Sequence, residues 1–286
     1  MSSDPARSER PLGRVAILGL GLMGGSLARA VTGLDLAERV TGWSPQATER
    51  DAAQTAGAVT FTAADWRRAV EDADLVMIAT PLAAALSVVT QIGEVSRHAT
   101  VTDVASLKAP MLEAARRGGI AERFVGSHPM AGSEASGFWA SRGDLFQGAR
   151  VWTVTGEARP EHGDAVERFW SALGAHPRRI DARDHDRLMA WVSHLPQLTA
   201  NALADVLAEE GVAAGTLGPG GADMTRLAGS EPTMWKDLLT HGSPELVAGL
   251  RGVSDRLGIL ADLIEAGDMD GLVSLMRRTR TWRQEG

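Results

Sequence analysis

Arg14-Val15-Ala16-Ile17-Leu18-Gly19-Leu20-Gly21-Leu22-Met23-Gly24-Gly25-Ser26-Leu27-Ala28 is an apolar run, then three glycines spaced G-x-G-x-x-G, then the start of a helical pattern. Each glycine has a task in a dinucleotide-binding turn. Gly19 lets the strand turn tightly, Gly21 lets backbone approach a pyrophosphate, and Gly24 lets the helix pack on the sheet, with the phosphates on the helix N-terminus. On its own the pattern is weak. Its position between a strand and a helix, at the head of a βαβ pattern, makes Gly19, Gly21, Leu22, Met23 and Gly24 candidate cofactor contacts.

Outward from this stretch, short β-branched runs alternate with amphipathic helical segments, as in a parallel sheet covered by helices. Strands are expected at 14–19, 39–43, 58–61, 74–80, 99–103 and 123–126, and two more, 150–155 and 176–181, bracket a helix over 160–173. From Asp184 onward only helical periodicity remains, over 188–209, 231–239, 244–266 and 269–283, and Gly215–Gly221 reads as a turn between helices. The expected fold is therefore an α/β Rossmann-like dinucleotide-binding domain, residues 1–181, followed by an all-α domain, residues 182–286. The polar first dozen residues are expected to be disordered.

The second strand ends at Trp43, where an NAD-specific protein usually carries an acid for the ribose hydroxyls. Ser44 stands there instead, so NADP is permitted and selectivity is expected to be loose or tilted toward NADP, with Arg50 the nearest cation for a 2′-phosphate. Ser44 could equally cap the next helix. Thr80 and Pro81, at the end of the fourth expected strand, complete the candidate cofactor residues, and the cofactor is NAD or NADP.

Composition narrows the rest. The 286 residues are 44% hydrophobic and 23% charged, in the globular range. A formal net charge of −7 gives no footprint for nucleic acid or an anionic membrane. Four arginines near the C-terminus, Arg277, Arg278, Arg280 and Arg283, suit a helix's negative end. With no cysteine, thiol nucleophiles and iron–sulfur or zinc–cysteine sites are excluded, and no histidine spacing suggests a metal. The polar N-terminus holds no secretory signal, and the longest apolar stretch, Leu75–Val89, is too short to span a bilayer, so a cytoplasmic location is expected.

Two segments after expected strands carry reactive side chains at the sheet edge where open α/β folds bind ligands. One is Asp103-Val104-Ala105-Ser106-Leu107-Lys108. The other is Gly126-Ser127-His128-Pro129-Met130-Ala131-Gly132-Ser133-Glu134, read as a loop flanked by glycines. Removing hydride from an alcohol needs a base that works near neutral pH, and the imidazole of His128 is suited to that. His98, His162, His176, His185 and His241 lie in polar surroundings and receive no role.

GLGLMGGSLA, DVASLK, GSHPMAGSEASG, SHLPQ (193–197) and DMTRLAGSEPTMW (223–235) resemble, in order and spacing, the prephenate/arogenate dehydrogenase family of tyrosine biosynthesis, from about Arg14 to Arg278. The resemblance implies a cyclohexadienol substrate whose C4 hydroxyl is oxidised while the ring carboxylate leaves as carbon dioxide. It implies that His128 is the base, that Ser106 orients it, and that Arg226 binds a substrate carboxylate. Glu134 and Asp223 match acids that form an ionic network with that arginine, and Ser133 lies beside them. His194 belongs to the SHLP segment, whose next residue, commonly histidine, is Gln197 here. Trp235 matches a pocket-wall position, with core packing as the equal alternative.

Prephenate, arogenate or an amino-substituted prephenate all remain open as substrate. A 3-hydroxyacid dehydrogenase of the 6-phosphogluconate dehydrogenase type, or a silent dinucleotide-binding protein, would leave HPMAGSE and DMTR unexplained. The family likeness also implies a homodimer through the helical half, and no appended regulatory or chorismate mutase domain is expected.

Overall fold

The structure, a computed structural model, describes residues 12–132 and 135–285. Pro11 and everything before it, most of the stretch expected to be disordered, lie outside the described residues, as do Ser133 and Glu134.

Eight strands form one sheet: β1 (Arg14–Leu18), β2 (Arg39–Trp43), β3 (Phe61–Ala63), β4 (Leu75–Ile78), β5 (Thr100–Asp103), β6 (Phe124–Pro129), β7 (Arg150–Val154) and β8 (His176–Arg179). Their order is β3-β2-β1-β4-β5-β6-β7-β8. The first six run parallel, β7 pairs antiparallel with β6, and β8 runs parallel to β7. The order reverses between β1 and β4, and a ligand crevice opens at the C-terminal ends of such a pair.

The sheet is parallel because helices cover both faces, and its central strands are apolar on both sides for that reason. Val15, Ile17, Leu75, Met77 and Val125 join one buried cluster, while Ala16, Leu18, Val76, Ile78 and Phe124 join the other. The helices between strands are α1 (Leu22–Gly33), α2 (Ala47–Thr55), α3 (Trp66–Val70), α4 (Leu82–Gln91), α5 (Ala109–Arg117) and α6 (Pro160–Ala172). Phe169 and Trp170 of α6 are fully buried in the first cluster, and Trp170 Nε1 donates to Ser127 Oγ at 3.0 Å.

The third strand begins later than expected. Ala58 closes the end of α2, its N–H donating to Ala53 O, and pairing with β2 starts only at Phe61. β6 runs longer than expected, because β7 pairs with it as far as Pro129. His128 therefore sits on a strand opposite Trp152, not in a loop.

The helical remainder is α7 (Ala182–Met189), a π-helical stretch Ala190–His194, α8 (Leu195–Glu209), α9 (Pro219–Thr225), α10 (Pro232–Thr240), α11 (Pro244–Glu265) and α12 (Met269–Glu285). Helix α7 starts six residues before the expected Leu188, and Asp181 caps it by accepting from Arg183 N at 2.8 Å. The wide turn before α8 follows from Pro196, which has no N–H for the carbonyl of Val192. In Gly215–Gly221, a 3₁₀ turn Ala214–Thr216 leads into α9, which Pro219 opens from a position where its missing N–H costs nothing.

The chain divides into two compact units. One comprises the residues up to Leu188 and then Ser230–His241; the other comprises Met189–Gly229 and the residues from Gly242 on. The first unit thus reaches Leu188 and takes back α10, which packs against α4. Among the described residues, no helix is long and apolar enough to cross a membrane.

Candidate active site

At the end of β1, Gly19 has φ +97°, and a Cβ there would strike the carbonyl oxygen of Ala79 at 2.5 Å. A Cβ on Gly24 would collide with the carbonyl oxygen of Gly19, so this glycine lets α1 pack against the turn. Gly21 differs. A Cβ there would meet nothing closer than Glu49 Oε1 at 3.7 Å, which leaves its outer side open to an approaching group. Helix α1 starts at Leu22 with no side-chain cap and no acid in its first turn, so its first N–H groups and its dipole favour an anion. Leu22 and Met23 are half-buried against the core. At the end of β4, Thr80 Oγ1 is buried without a hydrogen-bond partner, beside Pro81 at the start of α4. An open glycine turn on an uncapped helix N-terminus, next to an orphaned hydroxyl, fits a nicotinamide dinucleotide.

Three strands across, His128 lies half-buried on β6, and its Nδ1 is 3.0 Å from Nε2 of His185 on α7. His185 is fully buried, and its Nδ1 is 2.7 Å from Asp186 Oδ1. That carboxylate also accepts the N–H groups of Lys108 (2.8 Å, on Oδ1) and Ala109 (2.9 Å, on Oδ2) at the start of α5. These contacts fix the protons. Asp186 acts only as acceptor, so His185 carries its proton on Nδ1 and, with both rings neutral, must accept on Nε2. His128 then donates from Nδ1, and its Nε2 keeps a lone pair.

The strand position beneath His128 is clamped as well. Asp103 and Lys108 are completely buried and paired with each other through Asp103 Oδ2 and Lys108 Nζ. Asp103 Oδ1 accepts Ser127 N–H at 3.0 Å, and Lys108 Nζ donates to Ser127 O at 2.6 Å, so both backbone groups of the residue before His128 are held. Burial pushes the Asp103 carboxyl above the usual range and the Lys108 ammonium below it, and their mutual attraction opposes both shifts. Ser106, expected to orient His128, is half-buried and makes no side-chain hydrogen bond among the described residues; His128 Nδ1 faces His185 instead.

Trp235 belongs to the first unit, half-buried on α10. In the second unit, His194 ends the π-helical stretch and is buried. Gln197 is buried one turn later, and its Nε2 donates to Asn201 Oδ1 at 2.8 Å and to Leu227 O at 2.6 Å. The Leu227 bond ties α8 to the 3₁₀ turn Arg226–Gly229, so Gln197 holds the turn that carries Arg226. Asp223 and Arg226 are exposed. Ser133 and Glu134 fall outside the described residues.

The sequence reading missed His185, Asp186, Asp103 and Lys108. A signal for the first two was present. Ala182, His185, Asp186 and Met189 are spaced as one helical face, and all four are buried.

Residues 27–178 match the family model for the nucleotide-binding domain of prephenate dehydrogenase, and residues 181–278 match that for its dimerization domain. The chain belongs to the prephenate dehydrogenase family. Among its relatives, a prephenate dehydrogenase of Bacillus subtilis is 27% identical over 94% of this chain and 75% of its own length. A crystal structure of prephenate dehydrogenase from Aquifex aeolicus, in complex with hydroxyphenyl propionate and NAD+, has a TM-score of 0.88 at 28% identity, covering 96% of this chain and 98% of that one. An arogenate dehydrogenase structure from Synechocystis has a TM-score of 0.80 at 26% identity, covering 95% and 99%. Membership in the prephenate dehydrogenase family sets aside the 3-hydroxyacid reading.

Proposed function

We propose that this chain oxidatively decarboxylates prephenate to 4-hydroxyphenylpyruvate. The observation that carries the mechanism is the His128–His185–Asp186 line, which leaves His128 Nε2 as an acceptor in the same unit as the glycine turn. A bound nicotinamide supplies the hydride acceptor at C4 of the substrate. As that hydride leaves, His128 Nε2 takes the C4 hydroxyl proton, and the new imidazolium donates its Nδ1–H more strongly to His185, which Asp186 holds. The ring carbon–carboxylate bond then breaks, its electron pair enters the ring, and carbon dioxide departs. Regained aromaticity drives that step, so the protein needs only the base, the orientation and a cation for the side-chain carboxylate. Ser106, His194, Trp235 and the Ser133–Glu134 segment are proposed substrate contacts. A spectrophotometric assay at 340 nm, with prephenate, arogenate and a 3-hydroxyacid each offered with NAD and NADP, tests the proposal; turnover of the 3-hydroxyacid alone would overturn it. Arogenate is the second reading, supported by the likeness to the Synechocystis enzyme.

Arg226 is proposed to bind the side-chain carboxylate, for which its planar fork is suited. Such a contact serves ground state and transition state alike. Arg226→Ala should therefore raise KM, by on the order of 2–4 kcal/mol, with kcat less affected. Steady-state kinetics with an unchanged KM would remove Arg226 from the site.

The working form is a homodimer through the region matching the dimerization domain. Helices α11 and α12 expose Leu257, Ile264, Met276 and Trp282, which a second copy would cover. Light scattering should give twice the 30.2 kDa chain mass. A cytoplasmic location is proposed too, because the nicotinamide pool that such a reaction consumes is held there.

A further inference from the structure

We infer that Glu49 makes this enzyme selective for NAD against NADP, an inference that rests on the dehydrogenase reading. In this type of fold the ribose of the adenosine half lies over the C-terminal end of the second strand, where an acid accepts its two hydroxyls. The strand end itself offers only Ser44, which is 1% exposed. Its Oγ, however, donates to Glu49 Oε2 at 2.5 Å. Glu49 stands in the first turn of α2 and turns back toward β2. Its other oxygen, Oε1, lies 3.7 Å from the position of a Cβ on Gly21, the glycine whose outer side is open. A carboxylate five residues beyond the usual place thus reaches the strand end and overhangs the glycine turn. It is held there by the serine that replaced the expected acid.

Arg50, the cation that sequence alone offered to a 2′-phosphate, is engaged otherwise. Its Nη1 donates to the carbonyl oxygens of Ser44 at 2.5 Å and Pro45 at 3.3 Å, bracing the loop. A 2′-phosphate placed here would face the Glu49 carboxylate, whereas two ribose hydroxyls would find an acceptor in it. This reverses the expectation of loose or NADP-tilted selectivity, which came from looking only at position 44.

Isothermal titration of the full-length, cofactor-free dimer with NAD, NADP, 5′-AMP and adenosine 2′,5′-bisphosphate tests the inference without turnover. NAD should bind at least about 100-fold more tightly than NADP, and 5′-AMP more tightly than the bisphosphate. Glu49→Gln keeps size and hydrogen bonding but removes the charge. It should narrow the NAD:NADP ratio at least about 10-fold, chiefly by tightening NADP, and Glu49→Ala should do the same with NAD weakened as well. Melting temperatures of the variants show that they are folded. Equal or tighter NADP binding by the unsubstituted enzyme, or an unchanged ratio in folded Glu49→Gln, would overturn the inference while leaving the dehydrogenase reading intact. Binding of none of the four would overturn the dehydrogenase reading and this inference with it.

Discussion

Asp186→Asn should lower kcat by about 10²- to 10⁴-fold at neutral pH while leaving KM for prephenate and the affinity for NAD within a few-fold. The expected loss comes from a proton on the wrong nitrogen. An asparagine at 186 has one oxygen where the carboxylate presents two; turned so that this oxygen keeps Ala109 N–H, it sets its amide N–H at the position that His185 Nδ1 shares with Lys108 N–H. His185 would have to accept there and carry its proton on Nε2, which forces His128 to accept on Nδ1 and to protonate Nε2, the atom proposed to receive the substrate proton. Nitrogen-15 NMR of the ring should show the proton of His128 moving from Nδ1 to Nε2. The unsubstituted enzyme should show kcat rising with pH as the proposed base loses its proton, and His128→Asn should lack that limb. Two variants at the next position separate positioning from packing. His185→Gln keeps an acceptor for His128 and should retain much more kcat than His185→Phe, which fills the space and accepts nothing. If Asp186→Asn loses only thermal stability, with the His128 tautomer and kcat unchanged, the line is a packing feature.

Lys108→Met should be the most destabilising single change outside the hydrophobic clusters, at about 3–5 kcal/mol, or roughly 6–20 °C of melting temperature. It strands the Asp103 carboxylate in a place with no solvent. Burial already raises that carboxyl in the native protein, and removing its partner removes the main opposing attraction. A carboxyl whose folded pKa lies above its unfolded one stabilises the fold at low pH, and that stability is lost as pH rises through the folded value. The deficit of Lys108→Met should therefore grow from acid toward neutral pH. Adding Asp103→Asn removes the charge and keeps an oxygen for Ser127 N–H, so the double variant should recover a large part of the loss. Thermal denaturation in which single and double variants melt alike, at all pH values, would show that charge is not the cause.

What was legible in the sequence follows from what kind of contact each residue makes. β1 and β4 could be read because residues buried on both faces give unbroken apolar runs, whatever lies around them. Ala58 and Val59 misplaced β3 because an apolar pair looks the same whether it closes a helix or enters a sheet. Gly126 and Gly132 made the His128 segment look like a loop, since the partner strand that straightens it, β7, begins 22 residues after His128. His128 could be proposed as the base from its chemistry, but His185 lies 57 residues from it in sequence, and no local pattern announces that pairing. Glu49 was overlooked for a related reason. The acid was sought at one strand-end position, and a side chain reaching back from the next helix satisfies the same geometry from a different place.

The return of Ser230–His241 to the first unit makes the two units threaded rather than tandem. The chain passes from one to the other after Leu188, again after Gly229, and once more after His241. A single cut anywhere therefore cannot yield both units whole, and a fragment ending at Leu188 would leave the α4 surface that receives α10 bare. For inheritance the same threading means that a single recombination event cannot exchange the helices of the second unit for another set. It would carry α10, and Trp235 with it, across to a sheet it had not evolved beside, so the two units are expected to change together by point substitution rather than by shuffling.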